Sequence, residues 1–200
     1  LVNGSVVASA VGHNGTGSIS VPVNTTVSVN EQAAGTSVLA NYSSSLSCTG
    51  VSGVSGTTSG SFAMPDADVS CSFTNTRKTV TVTLKKAWSV AMPGDQATVL
   101  LKRAGTTVDS LASTVSLPND ATTDSSPYTA YVGETLNLSE TLAAGNTGTY
   151  TAALACDTGT SVLGSGDFVV PASNVLCIVT NTRKFTQASI THAHTSPSAV

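Results

Sequence analysis

"CSFTNTRK" occupies residues 71–78, and "CIVTNTRK" occupies residues 177–184. Both carry a cysteine, an Asn four residues later and a closing Arg-Lys pair, so two stretches of the chain end on one signature. Aligning these endings brings earlier landmarks into step. "VSVNEQAAG" (27–35) matches "LNLSETLAAG" (136–145) with one insertion, and "NYSSSLSC" (41–48) matches "TYTAALAC" (149–156). Tyr42 and Tyr150 each precede a cysteine by six residues. Several landmarks in one order at nearly one spacing define an internal repeat.

The composition says what kind of repeat. Charged residues make up 10% of the 200 residues and aromatics 4%, which leaves Ser, Thr, Val, Ala and Gly dominant. β-Branched residues punctuated by Gly and Pro favour strands and turns, so the chain reads as all-β. Eight Lys and Arg, scattered within a net charge of −3, make neither a nucleic-acid footprint nor a polybasic membrane patch. No apolar run of about eighteen residues is present to span a bilayer. The chain begins at Leu1 without a Met or a signal peptide. A processed start, or part of a longer protein, is the expectation.

The repeat pairs Cys48 with Cys71 and Cys156 with Cys177, at separations of 23 and 21 residues. Each bridge closes a loop of about twenty residues and contributes about 3 kcal/mol on the chain-entropy account. Both loops ("TGVSGVSGTTSGS", "DTGTSVLGSGD") are rich in Gly and Ser, so tethering them is the plain role. No C-x-x-C supports a redox role, and no His lies at zinc-ligand spacing from any cysteine. An even cysteine count with scarce Lys suits an extracellular protein at a cell surface.

Strand side chains alternate between faces, and parity sorts the repeat. In residues 80–88, Val80, Val82, Leu84, Lys86 and Trp88 share a face, which carries Lys86 inward and leaves Lys85 in solvent. Leu136, Leu138 and Glu140 share another face, as do Val175, Cys177, Val179 and Asn181. Lys86, Glu140 and Asn181 are therefore expected to point into an apolar interior, where a charge is costly unless paired or neutralised. One reading is a buried ion pair with a hydrogen-bonding amide. The other is an intramolecular amide bond between the Lys amine and the Asn side chain.

That bond needs these three residue types. Desolvation lowers a Lys pKa toward a neutral nucleophile and raises that of a Glu so that it can hold a proton. A protonated Glu polarises the Asn carbonyl and relays protons as ammonia leaves, while rigid strands supply proximity.

"TLKKAW", "SETLAAG" and "CIVTNTRK" resemble the prealbumin-like (Cna B-type, SpaA-like) modules of bacterial pilins, stalks and surface adhesins. The resemblance covers nearly all of 79–184 and the later part of 1–78. It implies tandem sandwiches of about seven strands. In many such modules a first-strand Lys bonds a last-strand Asn beside a mid-domain acid, and Lys86, Asn181 and Glu140 follow that order. Some related modules keep a disulfide and lack the crosslink.

The copies are unequal. Residues 1–78 are expected to form an incomplete sandwich, with "LVNGSVVASAVG" matching "GTTVDSLASTVS" and the first two strands lacking. This copy keeps Glu31, in phase with Val27 and Val29, and Asn75, in phase with Val69, Cys71 and Phe73, but has no Lys before Lys78. Glu31 and Asn75 thus read as a degenerate counterpart of the triad. The missing strands lie upstream or come from a neighbouring molecule, since open sheet edges invite strand addition. Residues 79–184 form the complete sandwich. Residues 185–200 are a tail, the start of a further module, or a donor strand that would place His192 at the offset of Lys86.

Other signals are bland. His13, His192 and His194 make no convincing metal site, and Asn3, Asn14, Asn24, Asn41 and Asn137 open N-x-S/T triplets that a Ser/Thr-rich chain produces readily. The acids of "MPDADVS" and "LPNDATTD" read as turn formers, and Trp88 as a core anchor beside Lys86. No nucleophile elbow or P-loop is present. The expectation is a structural module of an extracellular bacterial stalk or fibre, not an enzyme, with no cofactor and no metal. Its partners are its own copies or neighbouring repeats. The alternatives are a filament subunit assembled by strand donation into the first copy, and an adhesin for a glycan or host protein.

Overall fold

Val27 and Val29, alternating with exposed neighbours, make the first strand, β1 (Thr26–Asn30). The computed structural model describes residues 1–3, 5, 14–56, 58–118, 121–157, 161–163 and 165–190, without the side chains of 121–125 and 161–163. Contacts divide the chain into two compact units: Leu1–Thr81 with Thr129–Glu134 and Val169–Asn174, and a second built on Val82–Tyr128, Thr135–Phe168 and the chain from Val175.

In the first unit, β2 (Tyr42–Thr49), β3 (Ser55–Gly56), β4 (Ser59–Ala63) and β5 (Ser70–Arg77) join β1. They form a pair β1-β4 and a three-stranded sheet β3-β2-β5. Strands β2 and β5 run antiparallel in a register that sets Cys48 opposite Cys71 and Ser44 opposite Asn75. The Gly/Ser segment read as a plain tether in fact carries β3 and β4. It can do so because Gly60 lies tight against the core: a Cβ there would come 2.7 Å from Leu46 Cδ2. The core consists of Val27, Val29 and Leu46, with half-buried Cys48, Phe62, Cys71 and Phe73 around it.

The second unit carries β6 (Thr79–Ser89), β7 (Gln96–Arg103), β8 (Thr106–Thr114), β9 (Ala121–Tyr131), β10 (Thr135–Leu142), β11 (Tyr150–Cys156), β12 (Ser161–Leu163), β13 (Ser165–Val169) and β14 (Val175–Arg183). They form two sheets, β13-β10-β7-β8 and β12-β11-β14-β6-β9. These nine strands among the described residues exceed the seven that the resemblance implied, because the second Gly/Ser loop also carries strands. "ATTD" (121–124), read as a turn, opens β9 instead. Val82, Leu84, Val99, Leu101, Leu136, Leu138, Leu154 and Val179 are all buried, so the inward faces of both sheets share one core. Lys85 is half-buried and not fully in solvent. Strand β6 runs between β14 and β9.

Strands β7 and β8 are joined by Ala104 and Gly105, at φ of 47° and 83°, between the paired residues Arg103 and Thr106. Two left-handed residues give the turn a twist matching the hairpin, but an L-residue other than Asn or Asp is strained there by about 1–2 kcal/mol. Ala104→Asn is expected to stabilise this unit by about 1 kcal/mol. A rise in its melting temperature checks this.

Candidate functional site

The two ends of the second unit's sequence lie side by side. β6 and β14 pair in parallel, with Lys86 opposite Val179 and Trp88 opposite Asn181, so Lys86 and Asn181 project inward two residues apart. Glu140 comes from β10, in the facing sheet, where it sits opposite Val99. All three are enclosed: Lys86 is 1% and Asn181 0% exposed, and the Glu140 side chain is 3% exposed.

One carboxylate oxygen joins them. Glu140 Oε1 lies 3.2 Å from Lys86 Nζ and accepts a hydrogen bond from Asn181 Nδ2 at 3.1 Å. Lys86 Nζ also donates to the carbonyls of Ala87 at 2.8 Å and Val179 at 3.2 Å, and it lies 4.1 Å from the Trp88 ring centroid. Trp88 is thus the anchor beside Lys86, and its Nε1 donates to Ser113 Oγ at 3.0 Å. Burial lowers the Lys86 pKa from 10.5 to about 8, against the charge and hydrogen bond of Glu140, which pull it up. Asn181 Oδ1 is buried without a hydrogen-bond partner. A weakened ammonium, a carboxamide with an unsatisfied oxygen and a carboxylate bonded to both occupy one dry site.

The first unit repeats two members of this set. Asn75 Nδ2 donates to Glu31 Oε1, and Ser44 Oγ donates to Asn75 Oδ1. The surroundings differ: Asn75 is exposed and Glu31 half-buried. The disulfides link Cys48 to Cys71 and Cys156 to Cys177, each across a directly opposed pair on antiparallel strands. Of the tail, 185–190 has no regular strand, Phe185 and Ile190 are exposed, and the rest lies outside the described residues, as do His13, His192 and His194. Among the described residues, no group of three His, Cys, Asp or Glu is placed to hold a metal. No helix there is long and apolar enough to cross a membrane.

A family described as a prealbumin-like fold domain matches residues 3–77 and again 81–183. The chain belongs to this prealbumin-like family. Among solved structures, it is similar to the major pilin protein (T3.2) of Streptococcus pyogenes, at 15% identity and a TM-score of 0.41 over 80% of this chain and 67% of that one. No curated protein sequence matches it.

The second prealbumin-like copy holds a further cluster that the sequence did not disclose. Asp95, 2% exposed, accepts hydrogen bonds from the Tyr150 hydroxyl at 2.6 Å, Thr147 N at 2.8 Å, Thr147 Oγ1 at 3.1 Å and Gly148 N at 2.8 Å. The Tyr150 oxygen accepts in turn from Met92 N at 2.9 Å, and its ring meets Trp88 edge-on at 5.2 Å. Burial raises the Asp95 pKa, but the Tyr150 hydroxyl and the Thr147 and Gly148 donors outweigh it and hold the carboxyl below its ordinary value. Burial and the Asp95 hydrogen bond push Tyr150 up. Asp95 thereby fixes the turn before β11 and, through Tyr150, the aromatic wall beside Lys86.

A carboxyl depressed by folding contributes stability that is complete above its unfolded pKa and is lost as pH falls through the folded one. Asp95→Asn is expected to cost about 3 kcal/mol at neutral pH. It should also flatten the acid limb of the pH–stability curve below about pH 4. Denaturant melts of both chains across that range check it.

Proposed function

We propose that the chain is a structural pair of prealbumin-like modules from an extracellular bacterial surface stalk or fibre, and that its second module closes an amide bond between Lys86 and Asn181. The observation carrying this reading is that Lys86 and Asn181, on adjacent parallel strands, both bond to Glu140 Oε1 in a buried site. The Lys86 ammonium passes one proton to Glu140, and the freed amine attacks Asn181 Cγ. The new N–C bond forms, the Cγ–Nδ2 bond breaks, and Nδ2 leaves as neutral ammonia with the second proton that the attacking nitrogen sheds, while Glu140 keeps the first. The products are a neutral amide, a protonated Glu140 and one ammonia. Burial drives the step, because it removes both charges of the buried pair.

An amide tie between the first and last strands and a disulfide in each copy suit a module that resists extension. Both disulfides also fit an oxidising, extracellular setting. The intact mass of the disulfide-reduced chain tests the proposal: a deficit of one ammonia, with Lys86 and Asn181 recovered in one branched proteolytic fragment, is expected. The full sequence mass would reduce the triad to a buried polar cluster. A second reading, a filament subunit that receives a neighbour's strand, is favoured by β5 pairing, among the described residues, with β2 alone. Polymers that survive dilution would support it, and a monomer at every concentration would exclude it.

A further inference from the structure

We infer that Glu31, Asn75 and Ser44 form the open half of an amide-forming site, which takes a lysine on an incoming β-strand laid parallel to the free edge of β5. The inference rests on the reading of Lys86, Glu140 and Asn181 as bond-forming.

The two copies differ at the strand that carries the Asn. β14 has β11 on one side and β6 on the other, whereas β5 has, among the described residues, β2 on one side only. Val175, Cys177, Val179 and Asn181, facing inward on β14, are all buried. Their counterparts Val69, Cys71 and Phe73 are half-buried, and Asn75 is exposed. Among the described residues, no strand covers β5 as β6 covers β14. The open edge presents unpaired backbone groups beside an apolar strip, and an extended peptide satisfies both.

The chemistry left at this edge calls for a cation. Glu140 has the Lys86 ammonium beside it, while Glu31 Oε2 is buried with no hydrogen-bond partner. Glu31 Oε1 already holds Asn75 Nδ2 as Glu140 Oε1 holds Asn181 Nδ2. The first copy even adds a part that the second lacks. Ser44 lies directly opposite Asn75 and donates to its Oδ1, whereas Ala152 lies opposite Asn181, whose Oδ1 has no partner. A hydroxyl donor on that oxygen stabilises the negative charge that develops there when an amine attacks Cγ.

The occupant is therefore a strand of alternating apolar residues with one inward lysine. The register of β6 on β14 places that lysine opposite Phe73. Its ammonium gives one proton to Glu31, the amine bonds Asn75 Cγ and passes a second proton to Nδ2, and the Cγ–Nδ2 bond breaks to release neutral ammonia while Glu31 stays protonated. Sequence 79–89 of this chain is itself such a strand and serves as the probe.

The test is to incubate the chain with a synthetic TVTVTLKKAWS peptide and measure intact mass after reduction. A species of chain plus peptide minus one ammonia, mapped to Asn75, is expected. It should be absent with Asn75→Ala and with a peptide carrying Arg at the position of Lys86. A peptide with Arg at the position of Lys85 should retain it. Ser44→Ala should slow its formation about a hundredfold at unchanged peptide affinity, and Ser44→Thr should restore the rate, which marks Ser44 as a positioning residue. No adduct from a chain that shows its own ammonia deficit would overturn this inference alone. Neither adduct nor deficit would overturn the reading beneath it as well. Peptide binding without an adduct would overturn the covalent step.

Discussion

Lys86→Ala is expected to return the reduced chain to its full sequence mass and to lower the melting temperature of the second module by about 15 °C or more. Two losses combine. The amide tie between β6 and β14 disappears, and the fully buried Lys86 side chain is cut back to a methyl, which leaves a cavity and costs about 2–5 kcal/mol. For a module of about a hundred residues, each kcal/mol moves the midpoint by roughly 4–8 °C. Lys86→Arg separates the terms: it keeps a positive charge, yet a guanidinium stays protonated and cannot attack. Its mass should be full and its midpoint between the other two. In an Asn181→Ala chain Lys86 keeps its amine. Its folded pKa of about 8 lies below the unfolded 10.5, so the folded state binds fewer protons between those values. The Lys86 contribution to that variant's stability should then rise with pH across this window. Calorimetry of the four chains, each checked by mass, decides the matter. Equal midpoints for Lys86→Ala and the parent chain would remove Lys86 from the account of stability.

The triad was legible because a strand has a period of two. Once Val82 and Leu84 were assigned inward, Lys86 had to follow, and the same arithmetic carried Glu140 in with Leu138 and Asn181 in with Val179. Asp95 was not legible. It lies in "MPGDQ", a turn with no period, and its partners are backbone N–H groups about fifty residues away, which no local pattern encodes. The one available signal was Tyr150, a buried phenol needing a hydroxyl partner, and even that names no acid. Ser44 shows a third case. The alignment of "YSSSLSC" with "YTAALAC" displays the exchange of Ser44 for Ala152, but its meaning depends on the register that sets each opposite an Asn. Parity also misjudged Lys85, because it separates two faces without saying how far neighbouring strands cover the outer one.

Converting Cys48 and Cys71 to Ala is expected to unfold the first copy at 37 °C, while the same change at Cys156 and Cys177 leaves the second folded with a lowered midpoint. Both bridges cross adjacent antiparallel strands and close loops of similar length, 23 against 21 residues, so each should contribute about 3 kcal/mol through the unfolded chain. The difference lies in what remains. In residues 1–78 the fully buried apolar side chains among the described residues are Val27, Val29 and Leu46, and the inward face of β5 is half open. Such a core leaves a stability not far above the contribution of the bridge itself. The second copy keeps two sheets closed over a continuous core, the Asp95–Tyr150 cluster and, on the reading above, the Lys86–Asn181 amide. Limited proteolysis at 37 °C should therefore cut within 1–78 of the first variant and spare 79–184 of both. Saturating the first variant with the 79–89 peptide should restore protection, since a strand on β5 supplies the missing cover and stabilises by mass action. Equal susceptibility of the two copies would mean that the bridge is not what keeps the open one folded.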